Sequence, residues 1–431
     1  MSSFLEELQW RGLLYQTAGT GLEEHLATPG RSGYVGFDPT ANSLTIGNFI
    51  PIKLLMHWQR AGHKPIVVMG GGTGLIGDPS GKDEERQLLS VEQVQAHVDQ
   101  AQKIFARHLD FDTKKPHCAE LVNNLDWLQK LGYIEILRTV GKSFSVNMMI
   151  QKDSVRERLH SRDYGLSYTE FSYMILQAYD FLHLRRVANC TVQLAGSDQY
   201  GNIVAGMDLI RREFGPEEGQ AFGITAPLVT RAGGKKFGKT EEGSIWLTED
   251  RTHPYAFYQF WINTEDNDVI PYLRMFTFLS REEIEALEAQ HREAPHRRQA
   301  HRTLAQQMTE MVHGLEWLRR VEAASAALFG EGDIRQLDAT LLDQVFAEVP
   351  HSSHDSKQLQ GEGASLVEVL PQTSLASSKR QAREFLRNAA IFVNSEKVAE
   401  HRTLTRKDLL HGRYIVLRRG KKNWHVTDWK R

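Results

Sequence analysis

The feature that most limits how this chain can fold is a strand–helix–strand unit near its start. YVGF (34–37) is a short apolar run of β-forming residues and reads as a buried strand. The stretch from Gly47 to Gly62 carries a helical pattern, with Pro51 tolerable only near the first turn and Gly62 as the stop. PIVVM (65–69) is the next strand. Strands joined through a helix run in the same direction, so a parallel sheet follows. Residues 1–230 keep alternating short apolar runs with helical patterns, including a strand-like TVQLAG (191–196), and APLVT (226–230) is a further strand candidate. From about residue 280 to 330 the pattern is helical throughout, as in EEIEALEAQ and QQMTEMVHGLEWLRRVEAASAALF. Residues 350–364 are polar and rich in Ser, Gln and Gly, and read as a linker to a compact basic tail, 365–431. The expected class is α/β: a Rossmann-like parallel-sheet domain (1–230), an α-helical domain (248–349) and a small α+β domain (365–431).

Open parallel sheets bind ligands beyond the carboxyl ends of their strands. Three glycine-bearing segments compete for that role. GGKKFGKT (233–240) matches the P-loop pattern G-x-x-x-x-G-K-[ST]. A P-loop needs a long helix immediately after it, and here EEGSIWLTED follows, so none starts. What remains is a cationic loop carrying Lys235, Lys236 and Lys239, or a plain solvated surface loop. GTGLIG (72–77) matches G-x-G-x-x-G, but Asp78-Pro79-Ser80-Gly81 interrupts the required helix, and the region about 20 residues on is helical rather than a strand ending in an acid. That leaves a glycine-rich turn delivering Thr73 and Asp78 to a strand edge, followed by Lys82 and Arg86. In GFDPTANSLTIGN (36–48), Gly36 leaves room for a ring or ribose against the backbone, and Gly47 and Asn48 open a helix whose free N–H groups favour an anion. Thr40 and Thr45 add hydroxyls; a plain capped connection is the competing reading.

In TEFSYMILQAYDF, Tyr173, Gln177 and Asp180 share one helical face while apolar residues cover the others. A solvent-facing stripe is one reading; a buried helix, whose Asp180 needs a partner, is the other. Asp198 and Gln199 follow TVQLAG at another strand edge, where a carboxylate suits a ribose diol or caps the next helix. Net charge is −2, so no global basic field announces nucleic acid. The tail hides a local excess: Lys379, Arg380, Arg383 and Arg387 fall on one helical face or its flank. Arg418, Arg419, Lys421 and Lys422 crowd an expected hairpin. Cys118 and Cys190 have no metal-ligand spacing and no disulfide framework, no dedicated metal site is expected, and no apolar run approaches the ~20 residues of a membrane span. A cytoplasmic protein is the expectation.

Taken in order, these segments resemble tyrosyl-tRNA synthetases of the bacterial type. YVGFDPTANSLTIGN resembles the family's first signature, with Thr45 and Asn48 in place of its two histidines. GGGTGLIGDPSGK, VNNLDW (122–127), VGKSFSVNMMIQKDSV (140–155), YTEFSYMILQAYDF and QLAGSDQYGNI resemble its later blocks, and Val35 in the first signature and Tyr200 in the last of these blocks are further departures. Lys236-Phe237-Gly238-Lys239-Thr240 resembles its second signature, and the tail resembles a small RNA-binding module shared with a ribosomal protein. The resemblance implies tyrosine–tRNA ligation: tyrosine and ATP give tyrosyl-adenylate and diphosphate, and the tyrosyl group then moves to the 3′ end of tRNA(Tyr). It implies a catalytic domain (1–230), a mobile ATP-binding loop (231–247), a helical anticodon-arm domain (248–349), a linker (350–364) and an RNA-binding domain (365–431). Tyr34 and Asp180 would hold the substrate phenol, and Tyr173, Gln177 and Asp78 its ammonium, with Asp38, Thr73 and Gln193 in the same pocket. Gly36, Gly47, Asn48, Gly196, Asp198, Gln199 and Lys239 would contact ATP. Thr40, Thr45, Lys82, Arg86, Lys236, Lys239 and Thr240 would face its phosphates, with Mg²⁺ arriving on ATP. Lys379, Arg380, Arg383, Arg418 and Arg419 would contact RNA, and the family is a homodimer. Tryptophanyl-tRNA synthetase, which shares the fold, and a catalytically silent RNA-binding relative are the alternatives.

Overall fold

The strands of the first sheet are β1 (Gln16–Ala18), β2 (Ser32–Phe37), β3 (Lys64–Met69), β4 (Glu120–Asn123), β5 (Cys190–Gly196) and β6 (Phe222–Ala226). They lie in the order β1-β6-β5-β2-β3-β4, all parallel except β1, which runs antiparallel along β6. The computed structural model describes residues 3–78, 89–152, 155–156, 166–230, 237–240, 243–328, 332–420 and 422–430. Two compact units divide the chain, Met1–Thr252 with Asn263–Leu304, and His253–Ile262 with Ala305–Arg431.

In the first unit, β2, β3 and β5 are buried almost without a break, as strands covered on both faces must be. The helices used below are α1 (Phe4–Arg11), α2 (Phe49–Arg60), α3 (Val91–His108), α4 (Leu125–Leu128), α5 (Tyr133–Thr139), α6 (Val146–Ile150), α7 (Tyr168–Ala188) and α8 (Tyr200–Glu218). α2 is buried on nearly all sides, with Phe49, Ile50, Ile52, Leu54, Leu55 and Trp58 in the core. The helix expected from Gly47 begins later: Ile46–Asn48 is a 3₁₀ turn, so Pro51 falls in the first turn of α2, where its missing N–H has no helical partner to lose. α7 starts at Ser167, whose hydroxyl accepts from Glu170 N, and stops where Asn189 turns left-handed at φ 47°. Its buried residues include Tyr173, Met174, Ala178, Asp180 and Phe181, so the polar stripe is part of the core and not a solvent face. The strand candidate APLVT contributes only Ala226 to β6. Pro227 lacks the donor a ladder needs, and Leu228 is exposed.

The helical stretch expected at 248–349 is shared between the units. α9 (Pro254–Ile262) belongs to the second, α10 (Val269–Phe276) and α11 (Arg281–Glu293) to the first, α12 (Gln299–His313) starts in the first, and α13 (Leu315–Leu328) lies in the second. The second unit ends in a sheet of β12 (Glu396–Lys397), β11 (Ile391–Val393), β14 (Tyr414–Arg419), β15 (Asn423–Lys430) and β9 (His351–Asp355), in that order, beside the pair β10 (Ala364–Ser365) and β13 (Thr403–Leu404). α14 (Lys379–Arg387) packs Ala382 and Leu386 into the core of this unit. The expected linker at 350–364 is thus corrected: β9 pairs parallel with β15 from His351↔Val426 to Asp355↔Lys430. Its polar residues find partners there. His354 is buried, stacks on Trp429 at 4.7 Å and hydrogen-bonds Ser352 at 2.7 Å, which composition alone does not disclose.

Candidate active site

From β2 the chain winds one way to β3 and β4, and from β5 the other way to β6, so the strand order reverses between β2 and β5. Ligands of open α/β sheets sit in the crevice at such a reversal. Tyr34 of β2 and Gln193 of β5 are register partners across it. Gly36 is exposed although β2 is central, with open space where a side chain would stand. The strands end here in Asp38, in the glycines after β3, in Asn123 and in Gly196.

One hydrogen-bonded network fills the floor of this crevice. Asp38 receives the Thr73 hydroxyl at 2.7 Å and the Tyr173 hydroxyl at 2.9 Å. A Cβ on Gly70 would lie 2.1 Å from Asp38 Oδ1, so the turn after β3 can pass this carboxylate only as glycine. Asn124, almost fully buried, donates to Thr73 Oγ1 at 3.0 Å and to Asp180 Oδ2 at 2.9 Å, while its own oxygen accepts from Gly72 N. Trp127 Nε1 donates to Asp180 Oδ1 at 2.8 Å. Burial, against the pull of these two donors, lifts the Asp180 carboxyl to about 7. Burial, then the field of Asp180, pushes the Tyr34 phenol well above its usual range. Its hydroxyl is buried with no hydrogen-bond partner among the described residues, as is Gln193 Oε1. A second branch joins Asp78 to Gln199 (2.8 Å), and Gln199 and Gln177 to Asn202 (3.1 and 2.9 Å). Asp198, exposed, takes a bond from Gln199 at 3.1 Å.

The two signature segments, of which only the second is cationic, meet beside this network. Thr45 donates its hydroxyl to Asn48 Oδ1 at 2.8 Å, and the same oxygen accepts from Thr45 N, closing the turn before α2. Main-chain bonds then zip this turn to the second signature: Ile46 N to Ile245 O, Leu247 N to Leu44 O and Ile245 N to Gly238 O, all 2.9 Å. Gly238 holds φ 75°, and a Cβ there would lie 2.5 Å from Ile46 Cγ2. Phe237 is buried against Tyr272 and Phe276 of α10, with ring centroids 5.1 and 5.2 Å away. Lys239 is exposed, in a two-residue strand β7 (Lys239–Thr240) paired with β8 (Gly243–Ser244), so the described residues after the lysine form a hairpin and not a P-loop helix.

The structure therefore brings Tyr34, Asp38, Thr73, Asp78, Tyr173, Gln177, Asp180, Gln193 and Gln199 to one crevice. It sets Gly36, Thr40, Thr45, Gly47, Asn48, Gly196 and Asp198 on segments at its rim. Lys82, Arg86, Lys235 and Lys236 lie outside the described residues, and only the backbone of Thr240 is described. Asn124, Trp127 and Asn202 were missed as site residues by sequence reasoning. The first two directly follow β4, at the same carboxyl edge, and that position was the available signal. In the tail, Arg380 and Arg383 are exposed and Lys379 pairs with Glu368 at 2.5 Å. Arg418 needs correction as an RNA contact: it is buried, with its guanidinium over Phe392 at 4.2 Å and Trp424 at 4.9 Å. Arg419 is half-buried, donates to Leu375 O and covers Phe385. Aromatic neighbours, invisible to a charge count, turn both arginines into packing residues.

Comparison with known proteins identifies the family. Residues 31–330 match the family model for class I tRNA synthetases (W and Y), and residues 342–427 match the SYY-like C-terminal domain of tyrosine--tRNA ligase. The chain is 51% identical to the tyrosine--tRNA ligase of Bacillus caldotenax over 424 residues, covering 98% of both chains. It is 48% identical to tyrosine--tRNA ligase 1 of Bacillus subtilis over 433 residues, covering 100% of both. Among solved structures, a C-terminally truncated mitochondrial tyrosyl-tRNA synthetase of Aspergillus nidulans is similar at a TM-score of 0.68 and 29% identity, over 76% of this chain and 95% of that one. Neither the tryptophan-specific nor the catalytically silent alternative gains support from full-length relatives of this kind. By its two family domains and by whole-length identity, the chain belongs to the tyrosine--tRNA ligases of class I.

Proposed function

We propose that the β2–β5 crevice is the pocket in which this ligase binds L-tyrosine and joins it to AMP from ATP, before transfer to the 3′ end of tRNA(Tyr). The observation that carries the reading is the buried pair of Tyr34 and Asp180. A substrate phenol set between them donates to Asp180 and accepts from the Tyr34 hydroxyl, which otherwise has no partner among the described residues. Phenylalanine would occupy the same space, leave the Tyr34 hydroxyl without a partner and offer Asp180, already held by Asn124 and Trp127, nothing in place of the substrate hydroxyl, a loss of roughly 1–3 kcal/mol. Tyr173, Asp78 and Gln177, held by Asp38, Gln199 and Asn202, suit the α-ammonium at the other end.

The substrate carboxylate is already a nucleophile near pH 7, so its attack on the α-phosphate needs no general base. The barrier is charge gathering on the α-phosphate and the departing diphosphate, and catalysis is positioning plus donors aimed at those oxygens. Gly36 and Gly196 leave backbone room for the nucleoside, with Asp198 beside the ribose. Lys239, with Lys236 and Thr240 beside it in sequence and Lys82 and Arg86 in the stretch that follows the glycine turn after β3, supplies charge at the phosphates, and Mg²⁺ enters on ATP. The contact of Gly238 with Ile46 supports a joint action of the two signatures. α14, with Lys379, Arg380 and Arg383, is the proposed RNA-contacting element. Two free thiols, Cys118 and Cys190, fit a reducing cytoplasm, and no described helix is long and apolar enough to cross a membrane.

A homodimer is also proposed. Tyr133, Ile134 and Leu137 of α5, Val146, Met148 and Ile150 of α6, and Tyr168 are all exposed apolar residues on consecutive elements. A surface of this kind asks for a protein partner, and a second copy is the occupant the family resemblance implies.

The deciding experiment is exchange of labelled diphosphate into ATP, run in parallel with tyrosine and tryptophan. Exchange with tyrosine alone is expected. No tyrosine-dependent exchange by folded protein overturns the pocket reading.

A further inference from the structure

We propose that Asp266, His291 and His301 form a site for a divalent transition-metal ion of the zinc type, separate from the ligase pocket. Asp266 lies in the turn between α9 and α10, His291 in the last turn of α11 and His301 in the first turn of α12, all within the first unit. One nitrogen or oxygen from each falls within 4.8 Å of those of the other two, the one such cluster among the described residues. His301 Nε2 stands 3.1 Å from Asp266 Oδ1, and the two imidazoles meet edge to face with centroids 5.4 Å apart.

Two facts favour a cation over an ordinary polar contact. His301 is fully buried, while Asp266 is exposed and His291 half-buried, so the cluster has a floor and an open mouth. His291 Nδ1 and His301 Nε2 are buried atoms without a well-formed hydrogen bond among the described residues. Two imidazoles and one carboxylate are the ligand types that bind zinc, with room left for water. Metal–ligand bonds of 2.0–2.1 Å place tetrahedral donor atoms about 3.3 Å apart, a contraction within reach of rotation about the His291 and Asp266 side-chain bonds. Arg298 opposes the charge of an ion, which argues for an exchangeable site rather than a closed structural one. A bound ion would tie the α11–α12 corner to the turn before α10.

The test uses the full-length chain and does not depend on ligase activity. Equilibrium dialysis with Zn²⁺ should give one saturable equivalent per chain, and Co²⁺ in its place should develop visible d–d bands. Zn²⁺ should also raise Tm. His291→Ala, at a half-buried position, and Asp266→Asn, at an exposed one, should each weaken binding by more than the roughly 10–100-fold that even an outer hydrogen-bond partner is worth. His296→Ala, an exposed histidine of the same stretch outside the cluster, should bind as the parent does. Absence of a saturable equivalent, full binding by either cluster variant, or loss of binding in His296→Ala overturns the proposal. Circular dichroism of each variant checks that it is folded.

Discussion

Asp180 shows how one buried group can serve recognition at the expense of stability. Its carboxyl titrates near 7 in the folded chain, chiefly because burial penalises the charge, against 3.8 when unfolded. The folded state therefore holds this proton more tightly. The stabilising contribution is complete below pH 3.8 and is lost as pH rises through 7. Asp180→Asn should accordingly be more stable than the parent at pH 8, by an amount on the order of a few kcal/mol, in urea melts compared at pH 5 and 8. The same substitution should lower discrimination between tyrosine and phenylalanine by roughly 10–100-fold in the exchange assay, about 1–3 kcal/mol. Unchanged discrimination removes Asp180 from the phenol site. Tyr34→Phe separates recognition from folding more cleanly. It deletes a hydroxyl that has no partner among the described residues, so thermal stability should hold or rise while kcat/KM for tyrosine falls by about 1–2 kcal/mol. Tyr173 and Asp180 were legible because seven residues of helix put them on one face. Asn124 was not, because a buried amide bridging Thr73 and Asp180 leaves no periodic trace.

At the scale of elements, the parallel sheet was legible because β2 and β3 are short unbroken apolar runs around a helical stretch. The features set by partners were not. Nothing local says that Ile46–Asn48 tightens into a 3₁₀ turn; Thr45 and Asn48 do that by capping each other. The zipper between residues 44–46 and 245–247 is equally silent in sequence. It places Gly238 against Ile46 with φ 75°, so Gly238→Ala meets both a strained backbone and a steric clash. That variant should lose adenylate formation while still binding tyrosine in equilibrium dialysis. Lys239→Ala should slow adenylate formation by roughly 10²–10³-fold in a single-turnover experiment, with tyrosine affinity changed far less. Equal losses in both would contradict a contact made in the transition state.

For the whole molecule, the predictions concern assembly and RNA. Ile134→Asp on the exposed α5 face should shift sedimentation from dimer to monomer, with thermal melting of the chain little changed. Reversing charge at Arg380 and Arg383 together should raise KM for tRNA and flatten its salt dependence, leaving diphosphate exchange intact. Composition set the basic tail apart, but not the residue at which its fold begins. A strand as polar as His351–Asp355 is held by the neighbour it pairs with rather than by its own residues. Cutting the chain after Asp355 would therefore bare β15 from Val426 to Lys430 as an unpaired edge. Such a fragment should self-associate through that edge, whereas one beginning ahead of His351 should stay monodisperse.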